Sequence, residues 1–274
     1  MNWALWKKGF ADTWLLLALG SALLILFAWA FVWFTSQFQL GVWGTMLGAL
    51  PGFMQTLIRI PVARLASPAG LISVLYVHPV TMLVCVGWAV GRGSDPITGE
   101  IGRGTMEHLL TLPVRRISVL LIPSVIAALG AAVLALALWA GTWLGISTVK
   151  AYAGLEIRQF LPGAVNLFAM IFCLTGITAL FSSWDHNRWR AMAAAGGFFV
   201  LSYLVELVAL VWKPLSWLEY LSFVSLFAPQ RFIAVPEDAA SLAWRYDGSL
   251  VGIGLLSYAL ASMVFALRDI PQPN

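Results

Sequence analysis

The sequence predicts an all-α integral membrane protein, a bundle of about six transmembrane helices, and three observations carry that prediction. Of 274 residues, 61% are apolar and only 10% charged, with a mean hydropathy of +0.87, far from the balance of soluble domains. Apolar stretches recur at the length needed to cross a hydrocarbon core of about 30 Å, roughly 20 helical residues. These stretches are continuous and rich in Leu, Ala and Gly, where the strands of a membrane barrel would be short and would alternate apolar with polar residues.

Taken in order, the candidate spans are residues 14–35, 71–90, 118–146, 163–183, 191–212 and 249–267, all within one transmembrane domain covering residues 1–274. Ahead of the first span, Trp3, Trp6 and Phe10 recur at helical spacing beside Lys7 and Lys8. This suits either a short helix in the headgroup layer or plain flanking anchors. The first apolar run is too long for a secretion signal and no small-x-small site closes it, so it is expected to be retained. Residues 40–60 are apolar but interrupted by Gly41, Gly44, Gly48, Pro51 and Gly52, and residues 213–248 are divided by Pro214, Pro229 and Pro236. Both read as surface or re-entrant segments.

Orientation follows from the basic residues. With both termini inside, Lys7, Lys8, Arg92, Arg103, Arg115, Arg116, Arg188, Arg190 and Arg268 fall in short inner segments. Arg59, Arg64, Lys150, Arg158, Lys213, Arg231 and Arg245 are spread thinly over longer outer ones. The positive-inside rule then places both termini in the cytoplasm. The net charge of +4 is a topological signal and gives no reason to expect nucleic-acid binding. The two cysteines, Cys85 and Cys173, lie within expected spans, so no disulfide framework is implied.

Between the second and third spans, residues 91–116 gather seven charged residues: Arg92, Asp95, Glu100, Arg103, Glu107, Arg115 and Arg116. Asp95 before Pro96 reads as a helix start and Pro113 as its end, predicting a helix over residues 96–112. On it Glu100, Arg103 and Glu107 share one face at i, i+3, i+7, opposite Ile101, Thr105, Leu109 and Leu112. That geometry leaves a charged side free for a partner, and it fits equally a solvated connecting helix whose charges only mark one side of the membrane.

The stretch GEIGRGTMEHLLTLPVRR resembles the signature loop of type 2 ATP-binding-cassette (ABC) permeases, roughly Glu-x-x-x-Gly-Thr-x-x-x-Leu-Leu-x-x-Pro-Val-x-Arg. Glu100, Gly104, Thr105, Leu109, Leu110, Pro113, Val114 and Arg116 meet that pattern. Among such permeases the chain looks most like the single-domain bacterial kind, including those similar to the nitrous-oxide reductase maturation transporter. The resemblance implies an exporter-like permease of the bacterial cytoplasmic membrane. A separate nucleotide-binding ATPase subunit would hold ATP and Mg, and a second copy or a similar permease would complete the path. Glu100, Arg103 and Glu107 would then contact the ATPase, and Arg115 and Arg116 the ATPase or nearby phospholipid.

Other chemistry finds little support. No phosphate-binding loop, zinc-protease pair or serine elbow occurs, so no catalytic residue and no cofactor in this chain are expected. His78, Met82 and Cys85 lie at i, i+4, i+7, a spacing at which soft ligands touch copper, but Met and Cys pack as apolar residues far more often. Glu206 and Asn166 are the polar residues singled out within spans. Glu206 is expected to face the bundle interior or, near Lys213, to reach the headgroups, and Asn166 to bond another helix. The alternative to a permease is an ATP-independent channel or a structural membrane assembly factor, with residues 91–116 a mere connection.

Overall fold

The structure is a computed structural model that describes residues 3–37, 40–57, 59–106 and 116–267. It is helical, with no strand among the described residues. Six helical stretches are long and apolar enough to cross a membrane: Trp14–Thr35, Pro68–Gly102, Ile117–Thr148, Ile157–Trp184, Arg188–Val211 and Ala239–Leu267, here spans 1 to 6. An apolar, unbroken run makes a helix the only way to satisfy its backbone once water is excluded, and this is why hydropathy located all six.

Span 4 is the hub, with 72% of its apolar window buried, against 17% for span 1 and 22% for span 5. Small residues let the other spans approach. A Cβ on Gly93 would lie 2.6 Å from Cβ of Thr178, and one on Gly141 would lie 2.7 Å from the carbonyl of Ile25. Spans 2 and 4, and spans 3 and 1, therefore touch backbone to backbone at these points.

Two smaller cores sit at the ends of the bundle. At the end that carries the N-terminal helix Trp3–Ala11, here the terminal end, Leu5 packs with Ile97, Met106, Leu120, Tyr258 and Phe265. At the far end Leu47, Ile60, Leu65 and Ala234 form the other, drawing together the helices Leu40–Gly48, Val62–Leu65 and Pro229–Ala234. The two interrupted apolar segments thus pack on each other.

The sequence-based expectation of a helix over residues 96–112 is corrected at residues 95–106; residues 107–112 lie outside the described residues. No helix starts at Asp95: its backbone is helical (φ −68°, ψ −40°), and span 2 runs through it as a π turn over Asp95–Gly99 and one more helical turn over Glu100–Gly102. Pro96 has no N–H to give, a deficit that a π turn absorbs as well as a helix start does. The amide of Thr98 finds Ser182 Oγ of span 4 at 3.2 Å, and Thr98 Oγ1 sits 3.0 Å from the same oxygen. The carbonyl of Gly91, five residues before Pro96, accepts from Ser94 Oγ at 3.1 Å and Arg188 Nη2 at 3.3 Å.

Candidate functional site

Span 2 ends in a cap built by the residues of the signature stretch. Gly104 has φ +68°, the left-handed conformation that a Cβ disfavours. Its amide donates to the carbonyl of Ile101 at 3.0 Å, and the next amide, of Thr105, donates to the carbonyl of Glu100 at 3.0 Å. These are the paired bonds of a Schellman cap. Thr105 Oγ1 also donates to Glu100 Oε2 at 2.5 Å, tying the residue after the cap to the first residue of the last turn. The spacing Glu-x-x-x-Gly-Thr thus has a local meaning: carboxylate, left-handed glycine and hydroxyl close the helix on itself.

Glu100 is buried, and its carboxylate gathers further donors. Lys8 Nζ of the N-terminal helix lies 2.8 Å from Oε1 and 2.7 Å from Oε2, and Arg103 Nη2 lies 2.5 Å from Oε1. One turn earlier the buried Asp95 takes Arg103 Nη1 at 2.9 Å and Arg188 Nη2 at 3.3 Å on Oδ1, and Arg92 Nη1 at 3.3 Å on Oδ2. Burial by itself lowers the affinity of Arg103 for its proton, but its bonds to Asp95 and Glu100 outweigh that and hold the guanidinium above its ordinary value. Two carboxylates thereby join the N-terminal helix, the foot of span 2 and the start of span 5.

This corrects the expectation of a free charged face. Glu100 and Arg103 are engaged within the chain, because a carboxylate at the foot of a span is stabilised by cations already there. Glu107, Leu109, Leu110, Pro113 and Arg115 lie outside the described residues. Arg116 is described by its backbone alone, as the first residue of the helix Arg116–Thr148. Sequence reasoning missed Lys8, Asp95 and Arg188 as members of the site. Arg92 and Asp95 at i, i+3 were the readable signal, whereas the partners 92 and 93 residues away were not.

The intramembrane polar residues both find partners in the far-end segments. Asn166 is buried and fully used: Nδ2 donates to the carbonyl of Leu226 at 3.0 Å and to Asp247 Oδ1 at 2.7 Å, and Oδ1 accepts from the amide of Ala228 at 2.9 Å. Glu206 is buried and ion-paired with Arg59, whose Nη1 also donates to the carbonyl of Ser225 at 2.9 Å. Of the two placements expected for Glu206, the structure has the buried one, with Arg59 as its partner.

His78 does not share a helix face with Met82 and Cys85. It is extended (φ −62°, ψ 141°) and precedes the helix Pro79–Ser94, where its Nδ1 accepts from the amide of Val80 at 3.3 Å. Its ring packs on Phe27 and Phe31. Among the described residues no group of three or more His, Cys, Asp or Glu is placed to hold a metal ion.

Six apolar spans and a charged clasp at the foot of the second define a multi-pass helical membrane protein. A family model described as ABC-2 family transporter protein matches residues 12–270, and the chain belongs to that family. It is accordingly a permease component of an ABC transporter, a membrane transport component in a family that generally works with an ABC ATPase. No individual curated protein matches the chain significantly.

Proposed function

We propose that this chain forms the translocation path of an exporter whose work is supplied by a separate nucleotide-binding ATPase. Residues 1–274 act as one permease unit in the bacterial cytoplasmic membrane, with both termini on the cytoplasmic side. A second copy or a similar permease completes the path, and ATP and Mg bind in the ATPase subunit.

The clasp around Glu100 carries this reading. The segment after Gly104 docks the ATPase through Glu107, Leu109, Leu110, Pro113, Arg115 and Arg116, with Arg103, the most exposed of the guanidiniums on Asp95, at its edge. A push there reaches Glu100 through the Thr105 hydroxyl, the N-terminal helix through Lys8, and span 5 through Arg103, Asp95 and Arg188. A well-packed helix moves as a body, so a small displacement at its capped end tilts span 2 against span 5.

The test is a tagged pull-down from native membranes with ATPase assay of the recovered complex, comparing wild type with Glu107→Lys and with Glu100→Lys, Glu107→Lys. Wild type should bring down a cassette ATPase that both variants lose. Recovery of the ATPase undiminished in both variants would sink the docking role, and its absence from the wild-type sample would favour the channel or assembly-factor alternative.

A further inference from the structure

A cavity of about 680 Å³ lies between spans 5 and 6 toward the far end. Ile177 of span 4 forms its back, Phe198 and Leu256 stand at its lips, and Glu219, Arg245 and Tyr246 line its outer end. The ring of Phe198 stacks on that of Phe223, their planes 1° apart and their centroids 5.7 Å apart, which makes one side a flat apolar wall. On the span 6 side the groove runs over Gly252, where nothing lies within 4 Å of an added Cβ. The missing side chain keeps this space open.

The length of the groove matches one leaflet. Arg245 and Leu256 are eleven residues apart in span 6, about 16 Å at 1.5 Å per residue and about half of a hydrocarbon core of about 30 Å. Its deep end at Phe198 lies ten residues, about 15 Å, from the start of span 5 at Arg188, and so near the mid-plane. Polarity follows the same axis, from Glu219 and Arg245 at the outer end to Ile177, Phe198, Ile253 and Leu256 at depth. Phe198 and Leu256 are exposed, so the apolar depth opens sideways onto the membrane interior, where hydrocarbon and not water fills it.

We infer that the groove holds one acyl chain of a phospholipid from the far-end leaflet, running from the level of Arg245 past Gly252 to Leu256. A spanning helix of a second copy needs about 20 residues and the whole core thickness, about twice what the groove offers. Glu219 and Arg245 bring one charge of each sign to the outer end, so the groove selects a chain and not a particular headgroup. This assignment rests on the shape of the groove in a bilayer and is independent of how ATP is coupled.

The full chain is reconstituted in nanodiscs with a phosphatidylcholine that carries a photoreactive diazirine midway along one acyl chain. It is then moved into lipid-free detergent, so that only retained lipid remains, and irradiated. Peptide mass spectrometry should find the label concentrated on Phe198, Ile253 and Leu256. Gly252→Leu puts a side chain into the groove where there is room for its Cβ, and should lower the label there about tenfold, the loss expected for about two buried methylenes. Its melting temperature should not fall below that of wild type, because Leu is the better helix former. Gly87→Leu, at an exposed glycine of span 2 with equal room and away from the groove, should leave the label unchanged. Label spread evenly over lipid-facing residues such as Leu19 and Leu23 of span 1, or label in the groove undiminished in Gly252→Leu, would overturn the assignment. So would an unlabelled groove in wild type; if Gly252→Leu then also lost self-association, a second copy would be the occupant instead.

Discussion

Lys8 and Glu100 meet as a two-point ion pair across 92 residues of sequence, Nζ lying 2.8 Å and 2.7 Å from the two carboxylate oxygens. The two partners are unequal. The lysine side chain is 39% exposed and supplies one of three cationic or hydroxyl donors, while the glutamate is 9% exposed and is the acceptor for all of them. Lys8→Met should therefore cost little, about 0–1 kcal/mol as for a screened surface pair. Glu100→Ala removes the carboxylate acceptor of Lys8 Nζ, Arg103 Nη2 and Thr105 Oγ1 at once and should cost several times more. Thermal unfolding of the detergent-solubilised chain measures both, and equal shifts would contradict this asymmetry.

Gly104 is the next test of the cap. At φ +68° an added Cβ strains the backbone, so Gly104→Ala should destabilise the end of span 2 by about 1 kcal/mol, with Gly104→Asn milder. Nothing lies within 4 Å of the added Cβ, so the penalty is conformational alone and steric relief elsewhere should not rescue it. Faster hydrogen exchange at the amides of Gly104 and Thr105 in the alanine variant is the expected sign.

Packing between spans 2 and 4 gives a matched pair of substitutions. At Gly93 a Cβ would fall 2.7 Å from the carbonyl of Thr175 and 2.6 Å from Cβ of Thr178, so Gly93→Ala forces two backbones apart and should cost about 1–3 kcal/mol. At Gly87, on the same helix, nothing lies within 4 Å, and Gly87→Ala should be neutral or slightly stabilising. Similar melting temperatures for the two variants would refute the close approach.

The turn between spans 4 and 5 predicts a pH dependence. The amide of Asn187 chiefly, against slight desolvation, and the amide of His186 hold the Asp185 carboxyl below its usual range. A depressed folded-state value means the contribution is fully present above the unfolded carboxylate value, about 3.9, and is lost as pH falls through the folded one. Asp185→Asn should therefore abolish an acid-induced loosening of residues 185–187 that wild type shows below about pH 4. Hydrogen exchange at the amides of His186 and Asn187 across that window is the measurement, and identical profiles would contradict the role.

What the sequence disclosed follows the range of the forces involved. Span 1 was legible to the residue because burial in lipid depends only on the local run of apolar side chains. Span 2 extends twelve residues past the expected end at Val90 because its carboxylates at Asp95 and Glu100 are neutralised by Arg92, Lys8, Arg103 and Arg188. Hydropathy treats such a run as leaving the membrane core, since it sees charges and not their partners. Arg59 and Glu206 were each visible, but no local pattern joins residues 147 positions apart. The Glu-Gly-Thr spacing was readable as a resemblance, and its physical content, a cap with a carboxylate clasp, emerged only from the backbone angles and bonds.

Asn166 offers the sharpest single test of how the far-end segments are held. Its amide satisfies three groups from two segments: the carbonyl of Leu226, the amide of Ala228 and the carboxylate of Asp247. Asn166→Leu keeps the volume and removes all three bonds, leaving buried polar atoms unpaired at about 1–3 kcal/mol each. Asn166→Asp keeps the shape but sets a second carboxyl against Asp247 and replaces the donor to the Leu226 carbonyl by an acceptor, and should be more destabilising than Asn166→Leu. If loss of the amide loosens only the far-end segments, limited proteolysis of Asn166→Leu should cleave near Phe227 while the spans remain protected; uniform cleavage, or none, would show that Asn166 does not anchor that segment.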